Sequence, residues 1–278
     1  MSREAIYRGM DRPTLDAAYN NSLAVADSPV LLRDFDTRSA ALRDKYPQHL
    51  DLRYGAAPRN RIDYFAALQP GPLLIFIHGG YWQMRSKETF SFLAEGPLAQ
   101  GFHVALLGYT LAPEQSLRGI VDEVKAGIGW LREHAAALGG DVQRMVVSGW
   151  SAGGHLTAMC LDEAGVIGGI AISGIYELEP IRLCYLNDKL QLSDAEEQTL
   201  SPARLPLSAK PLVIAYGTGE LAELQRQSTS FAALREGLPG SLLALAERNH
   251  FTILEQLADA NGVITQALCQ MVKLPSRG

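Results

Sequence analysis

Short apolar runs alternate with amphipathic stretches along the chain from about residue 72 onward. The runs occupy residues 73–77, 104–107, 142–148, 166–173, 212–216 and 242–246. A continuous apolar run fits a strand that is covered on both faces, and helical stretches separate successive runs. The pattern therefore predicts an α/β fold with a mostly parallel central sheet and helices on both of its faces.

The stretches between the apolar runs have helical periodicity. Residues 86–100 are predicted to form a helix, and residues 221–236 another. After Ser116, apolar side chains recur at steps of three, four or seven residues, which predicts a helix that packs on the sheet. Thr252 and Glu255 have capping-box spacing, so a last helix is predicted to begin directly after His250.

Two segments do not follow this alternation. Residues 1–50 show a helical rhythm between positions 33 and 46, and we expect them to form a small helical cover over the carboxyl edge of the sheet. Residues 176–210 are polar and interrupted by prolines, so we expect an insertion outside the core. A chain of 278 residues without repeats or linkers fits one domain, since α/β units often reach roughly 250 residues.

Composition narrows the function classes. The chain is 47% hydrophobic and 20% charged, with a net charge of -5, which does not favour nucleic-acid binding. No apolar run approaches the roughly 20 residues that span a bilayer, and the N-terminal residues lack the apolar core of a secretory signal. The three cysteines have no metal-like spacing, which favours the reducing cytoplasm. The oligomeric state stays open, with a homodimer as one alternative.

A serine stands where the strand over residues 142–148 should turn into a helix. Gly149–His155 contains the pattern G-x-S-x-G with Ser151 at its centre. Glycines on both sides of the serine permit a tight turn that presents the hydroxyl to an incoming carbonyl. The pattern therefore predicts acyl transfer through a serine ester.

A serine hydroxyl needs a general base and a group that orients that base. In proteins with this turn the chain order is serine, acid, histidine. Of the histidines after Ser151, His155 should point away from the hydroxyl along its own helix, so His250 is the predicted base. Glu220 is the first carboxylate after the strand over 212–216 and is the predicted acid. Glu223 is the next choice, ahead of Asp188 and Asp194.

The negative oxygen of a tetrahedral intermediate requires fixed donors, usually backbone N–H groups. Gly79 and Gly80 follow the strand over residues 73–77 and let the backbone approach a substrate closely. The N–H of Ala152, the residue after the nucleophile, completes the predicted oxyanion hole. His78 is predicted to hold this loop and to take no part in proton transfer.

These motifs together resemble a known family. His78–Trp82 and Gly149–His155 are similar to the hormone-sensitive-lipase-like branch of the α/β-hydrolases, and the Tyr81–Trp82 pair resembles the kynurenine formamidase (arylformamidase) group within it. The similarity covers about residues 60–260. The resemblance implies the α/β-hydrolase fold and the roles given above for Ser151, His250, Glu220 and the oxyanion donors. That family usually has aspartate where Glu220 stands.

The resemblance implies a reaction as well. A small acyl group would be removed from an N-formyl arylamide such as N-formylkynurenine, with no metal and no organic cofactor. Tyr81 and Trp82 would line the aromatic leaving group or pack beneath the N-terminal cover, and Tyr176 would meet the polar end of this small-molecule substrate. A carboxylesterase acting on small acyl or aryl esters is the first alternative, because fold and triad do not fix the substrate. A non-catalytic binding module on the same scaffold is the second.

Overall fold

A computed structural model of the chain describes residues 4–273 and contains an eight-stranded sheet. The strand order is β1-β2-β4-β3-β5-β6-β7-β8, and all pairs from β4 to β8 are parallel. The two pairs at the other edge, β1 with β2 and β2 with β4, are antiparallel. The prediction of a mostly parallel sheet in an α/β-hydrolase fold is confirmed. The strands are β1 (Leu52–Arg53), β2 (Arg61–Phe65), β3 (Gly71–Ile77), β4 (His103–Leu107), β5 (Gly140–Trp150), β6 (Val166–Ile172), β7 (Leu212–Gly217) and β8 (Gly240–Leu245).

Helices connect the strands and cover both faces of the sheet. They are α1 (Arg12–Ala18), α2 (Asn21–Ala24), α3 (Ser28–Lys45), α4 (Glu95–Ala99), α5 (Leu117–His134), α6 (Ala152–Met159), α7 (Glu179–Leu183), α8 (Asn187–Leu190), α9 (Asp194–Leu200), α10 (Ala222–Leu234), α11 (Glu255–Ala258) and α12 (Val263–Met271). The predicted helices over 221–236 and after Ser116 correspond to α10 and α5. The Ser116 hydroxyl caps α5 by accepting a hydrogen bond from the N–H of Gly119 at 3.1 Å.

The central strands have one hydrophobic cluster on each side. Along β3, Leu73, Ile75 and Ile77 face the cluster that includes α5, α6 and α10, while Leu74 and Phe76 face the cluster that includes α3, α11 and α12. Successive side chains of a strand point to opposite faces, so a strand between two helical layers is apolar throughout. This double burial explains why the apolar runs identified the central strands.

Two predicted helices differ from the structure. Residues 86–100 form a 3-10 helix, Lys87–Ala94, followed by the short α4, because Pro97 lacks the N–H that a continuous α-helix needs. The prediction of a capping box at Thr252 and Glu255 is wrong, because no side-chain hydrogen bond of that kind caps this turn in the part of the chain that the structure describes. Asn249 Oδ1 accepts instead from the N–H groups of Phe251 and Thr252. A 3-10 turn and the four-residue α11 follow directly, and the last helix, α12, begins only at Val263.

The N-terminal segment and the insertion both contribute to the core. Tyr19, directly after α1, is fully buried, and its carbonyl accepts from the hydroxyl of Tyr81 four residues beyond the end of β3. By contrast, α3 packs on the 3-10 helix over Lys87–Ala94. The insertion forms α7, α8 and α9, and its apolar residues, such as Ile181, join the cluster beneath α5 and α6. The expectation that it lies outside the core is therefore wrong. Residues 1–3 of the predicted cover lie outside the described residues.

Candidate active site

A tight strand-to-helix turn carries Ser151. β5 ends at Trp150 and α6 begins at Ala152, and Ser151 between them has φ +57° and ψ −115°. A non-glycine residue rarely adopts this conformation, which persists only where the surrounding structure imposes it. The Ser151 N–H donates to the carbonyl of Ile172 at 2.8 Å, which ties the turn to the end of β6.

Close backbone contacts explain the glycines of the turn. A Cβ on Gly149 would lie 2.2 Å from the carbonyl oxygen of Gly153, and a Cβ on Gly153 would lie 2.0 Å from that of Ile77. Neither position accepts a larger residue without movement of the backbone. The G-x-S-x-G pattern is therefore a packing requirement at the point where α6 starts against β3 and β5.

His250 and Glu220 form a buried hydrogen-bonded pair beside this turn. His250 Nδ1 lies 3.1 Å from Glu220 Oε2. In a neutral imidazole that makes this hydrogen bond, Nδ1 carries the proton and Nε2 is the nitrogen that can accept one. The other carboxylate oxygen, Oε1, accepts from the Ser173 hydroxyl at 2.6 Å and from the Gly217 N–H at 2.7 Å. Within residues 4–273, the hydrogen bonds of the carboxylate thus come from the ends of β6 and β7 and from the His250 loop.

Trp150 links the histidine loop to the nucleophile turn. Its indole Nε1–H donates to the His250 carbonyl at 2.7 Å, and the two rings lie 4.8 Å apart. Because Trp150 directly precedes Ser151, one side chain fixes the imidazole loop against the serine. Among residues 4–273 no hydrogen bond joins the Ser151 hydroxyl to His250. Catalytic hydrogen bonds of this kind tighten when substrate binds.

The other candidate acids have different partners. Glu223 Oε2 accepts from Arg226 Nε at 2.9 Å and from the Tyr19 hydroxyl at 3.4 Å, so it belongs to the contact between α10 and the N-terminal segment. Asp188 and Asp194 are exposed and lie within ion-pair distance of arginines on α1 and α7. Of the four carboxylates, the structure brings only Glu220 to His250.

The two glycines of the predicted oxyanion hole lie against the nucleophile turn. A Cβ on Gly79 would be 2.7 Å from the Trp150 carbonyl oxygen and 3.1 Å from the Ser151 Cβ. Gly80 has φ +107°, which favours glycine, and its carbonyl accepts from the N–H of Met84 at 3.0 Å. Ala152 is the first residue of α6, where backbone N–H groups have no partner within the helix.

His78 and His155 are buried packing residues. The His78 ring stacks on Tyr109 with centroids 4.3 Å apart, and its Nδ1 is 2.8 Å from the Gly79 carbonyl oxygen. The His155 Nε2–H donates to the Leu200 carbonyl at 2.8 Å. Burial lowers the pKa of each imidazole to about 4, because the charged form loses its hydration. Both geometries support structural roles for these histidines.

The three aromatic residues predicted to contact substrate are buried. The Tyr81 hydroxyl donates to the Tyr19 carbonyl at 2.6 Å and accepts from Asn21 Nδ2 at 2.9 Å, so the N-terminal segment holds it. Trp82 contacts the His155 ring edge-on, and Tyr176 stacks on Phe231 with centroids 4.3 Å apart. Burial raises the pKa of the Tyr81 and Tyr176 phenols. Only Tyr81 retains measurable exposure, at 8%.

Ser173 and the Trp150 indole are site residues that the sequence analysis did not identify. Ser173 follows an apolar strand directly, at the same sheet edge as Ser151 and Glu220, and this placement was an available signal. Residues 4–273 contain no group of three or more His, Cys, Asp or Glu side chains arranged to hold a metal ion. Within the same residues, no helix is both long enough and apolar enough to cross a bilayer.

Comparison with known proteins gives relatives of both hydrolase types considered above. The BD-FAE family model matches residues 66–165. Kynurenine formamidase from Danio rerio is 30% identical over 242 residues, covering 80% of this chain and 81% of that protein. Carboxylesterase NlhH from Mycobacterium tuberculosis is 36% identical over 100 residues, covering 35% and 31% of the two chains. The crystal structure of a candidate thioesterase from Silicibacter sp. TM1040 matches with a TM-score of 0.83 and 25% identity, covering 92% of this chain and 98% of that chain.

Proposed function

Because the chain belongs to the kynurenine formamidase family of α/β-hydrolases, we propose that it hydrolyses N-formyl arylamides such as N-formylkynurenine. The protein is a hydrolase that acts on small acyl substrates. The observation that carries the proposed mechanism is the 3.1 Å hydrogen bond between His250 and Glu220 beside the strained turn at Ser151. The similarity to the Danio rerio enzyme over four-fifths of both chains supports the formamide as substrate.

The proposed reaction proceeds through a formyl-serine ester. Ser151 Oγ attacks the formyl carbon while His250 Nε2 accepts the hydroxyl proton, and the N–H groups of Gly79, Gly80 and Ala152 stabilise the negative oxygen. The C–N bond then breaks, and His250 returns the proton to the departing aniline nitrogen. Water attacks the ester with His250 again acting as base, which releases formate and restores the serine.

The burial of the site supports a small acyl group. Ser151 is 2% exposed and His250 3%, and the N-terminal segment covers this end of the sheet through Tyr81. A formyl group carries only a hydrogen on its carbon and needs almost no acyl pocket. We propose that Tyr81 contacts the aromatic leaving group, with Trp82 and Tyr176 supporting that surface from within the core.

A carboxylesterase acting on small acyl or aryl esters is the second candidate. The 36% identity to carboxylesterase NlhH favours it, although that similarity covers only about a third of this chain. Both reactions use the same nucleophile, base and oxyanion donors. They differ in the leaving group, because an aniline nitrogen must be protonated as it departs whereas a phenolate leaves without a proton.

Steady-state kinetics on two substrates test the proposal. We expect kcat/KM for N-formylkynurenine to exceed that for p-nitrophenyl acetate, and we expect the Ser151→Ala variant to lose both activities. Efficient ester cleavage with negligible release of formate from N-formylkynurenine would reject the formamidase in favour of the esterase. Labelling by a fluorophosphonate that requires Ser151 tests the catalytic role of the serine independently of substrate choice.

We also propose a cytoplasmic location for the enzyme. Cys160, Cys184 and Cys269 are all free thiols, which suits a reducing compartment. We expect fractionation of cells that express the chain to recover it with cytosolic markers. Recovery with secreted proteins would contradict this.

A further inference from the structure

We propose that Ser173 is a positioning residue of this hydrolase, whose hydroxyl fixes the Glu220 carboxylate in the orientation that His250 requires. The inference rests on the proposed function only in assigning Glu220 and His250 to the catalytic machinery. Ser173 itself is fully buried and follows β6 directly.

Three hydrogen bonds determine the plane of the Glu220 carboxylate. Oε1 accepts from the Ser173 hydroxyl at 2.6 Å and from the Gly217 N–H at 2.7 Å, and Oε2 accepts from His250 Nδ1 at 3.1 Å. A glutamate has one more rotatable bond than an aspartate, so its carboxylate needs more anchoring to hold a single orientation. Two donors on Oε1 provide that anchoring and leave Oε2 for the imidazole.

The backbone of Ser173 is itself fixed at the adjoining strand end. Its N–H donates to the carbonyl of Ala215 in β7 at 2.7 Å, and its φ of +51° lies in the left-handed region that disfavours serine. Residues held in such conformations cluster at functional sites, where the surrounding structure imposes them. Here the conformation directs the hydroxyl from β6 toward a carboxylate that follows β7.

A purely structural role for Ser173 makes a different prediction. If the Ser173 hydroxyl only supplied a hydrogen bond to the buried Glu220 carboxylate, its removal would lower the stability of the fold. If it positions that carboxylate, its removal would lower the rate of the chemical step. Within residues 4–273 the Ser173 hydroxyl hydrogen-bonds Glu220 and no hydrogen bond joins it to Ser151, so loss of positioning should lower kcat and leave KM close to its original value. Because a loss of folded protein would also lower the apparent kcat at constant KM, kcat is expressed per folded molecule, with the folded fraction measured by urea denaturation.

The experiment compares Ser173→Ala and Ser173→Gly in the full chain. Both remove the hydroxyl, but glycine also relieves the positive φ, so a kinetic loss shared by the two variants cannot come from backbone strain. We expect kcat to fall about 10- to 100-fold in each, the range for a lost hydrogen bond to a charged group. Ser148→Ala is the matched control. Its buried hydroxyl donates to the Ile170 carbonyl at 2.8 Å, away from Glu220, and kcat should stay near wild type.

A double-mutant cycle with Glu220→Ala completes the test. If Ser173 acts through Glu220, adding Ser173→Ala to Glu220→Ala should lower kcat little further. The proposal would be overturned if Ser173→Ala lowered kcat by the same factor in the wild-type chain and in the Glu220→Ala variant. Wild-type kcat in both Ser173→Ala and Ser173→Gly would overturn it as well. Wild-type kcat in Glu220→Ala would overturn it too, because the acid would then be misassigned. Measuring p-nitrophenyl acetate beside N-formylkynurenine separates these outcomes from a wrong substrate, which would alter only the ratio of the two activities.

Discussion

Gly79 lies where any side chain would collide with the nucleophile turn. A Cβ there would be 2.6 Å from Trp150 Cε3, 2.7 Å from the Trp150 carbonyl oxygen and 3.1 Å from Ser151 Cβ. The first two contacts are closer than real Cβ atoms make, so the oxyanion loop would have to move. We expect Gly79→Ala to lower kcat by about 100-fold or more, as loss of one oxyanion donor does.

Gly129→Ala is the control for this substitution. Gly129 lies within α5, and a Cβ added there would meet nothing within 4 Å. Alanine should stabilise the helix by about 0.5–1 kcal/mol and leave kcat unchanged. Wild-type kcat in Gly79→Ala would show that this loop does not supply the oxyanion donors.

Glu220 and Glu223 differ in what their carboxylates contact, and this difference predicts their kinetic roles. Glu220 accepts from His250, whereas Glu223 accepts from Arg226 and Tyr19. We expect Glu220→Ala to lower kcat/KM at least about 100-fold, because the imidazole loses the group that orients it. Glu223→Ala should have little effect on kcat/KM. The opposite ranking would transfer the acid role to Glu223.

Chain order and strand ends predict Ser151, Glu220 and His250 from the sequence, and the structure brings Glu220 to His250. Each follows an apolar run, and the carboxyl ends of parallel strands meet at one edge of the sheet. Ser173 also follows such a run, but its bond to Glu220 depends on a φ of +51° and on side-chain torsions. Hydrophobic periodicity carries no information on either, so the sequence alone could not assign that role.

At the scale of elements, the sequence predicts the strands that are continuous apolar runs, including β8, most of whose residues are exposed. The strands β3, β4, β6 and β7 are buried along nearly their whole length, as is β5 from Met145 onward, and the positions of all five agree closely with the predicted runs. β2 was missed, because Arg61 and Asp63 interrupt its apolar pattern. Asp63 is nevertheless fully buried, and it accepts from the Lys87 ammonium at 2.8 Å. The hydrophobic pattern of a sequence assigns a charged residue to the surface, because the pattern cannot show that the charge has a partner inside the core.

Gln227 joins three elements that the sequence analysis treated separately. From α10, its Oε1 accepts from the N–H groups of Tyr176 and Glu177 at 2.7 and 2.8 Å. Its Nε2 donates to the Tyr19 hydroxyl and to the Glu177 carbonyl, both at 3.0 Å. The side chain is 1% exposed, and all four of its hydrogen-bonding positions are occupied. It therefore connects the insertion, α10 and the N-terminal segment.

We expect Gln227→Leu to lower the free energy of unfolding by about 2–4 kcal/mol, because two buried N–H groups lose their acceptor. Urea denaturation at pH 7 measures the change. Gln270→Leu, at an exposed position of α12, is the matched control and should alter stability by no more than about 0.5 kcal/mol. If the two variants had equal free energies of unfolding, the hydrogen bonds of Gln227 would not contribute to packing the N-terminal segment and the insertion against α10.

At the scale of the whole molecule, the buried neutral histidines His78 and His155 couple folding to pH. His155 Nε2–H donates to the Leu200 carbonyl, and its Nδ1 has no partner within residues 4–273. His78 likewise has one ring nitrogen bonded and its Nε2 unpartnered in that part of the chain. A second proton on either ring would be buried without an acceptor. Burial accordingly lowers the pKa of both imidazoles to about 4.

The direction of the pH effect follows from where the proton binds first. An unfolded histidine has a pKa of about 6.5, so as the pH falls below that value the unfolded chain binds protons that the folded chain excludes. The stability that these neutral rings contribute is complete above about pH 6.5 and is lost progressively toward about pH 4. At pH 5 the loss amounts to about 2 kcal/mol for each histidine.

We expect His155→Gln to reduce this pH dependence, because glutamine can still donate to the Leu200 carbonyl and does not titrate. Between pH 7 and pH 5, the free energy of unfolding of the variant should fall by about 2 kcal/mol less than that of wild type. Urea denaturation at each pH measures both changes, and the comparison does not depend on the absolute stability of the variant. His134→Gln, at an exposed position of α5, should retain the wild-type pH dependence. If the free energy of unfolding of His155→Gln fell by the same amount as that of wild type between pH 7 and pH 5, burial of this imidazole would not oppose its protonation. The acid sensitivity of the fold would then have to arise from other groups.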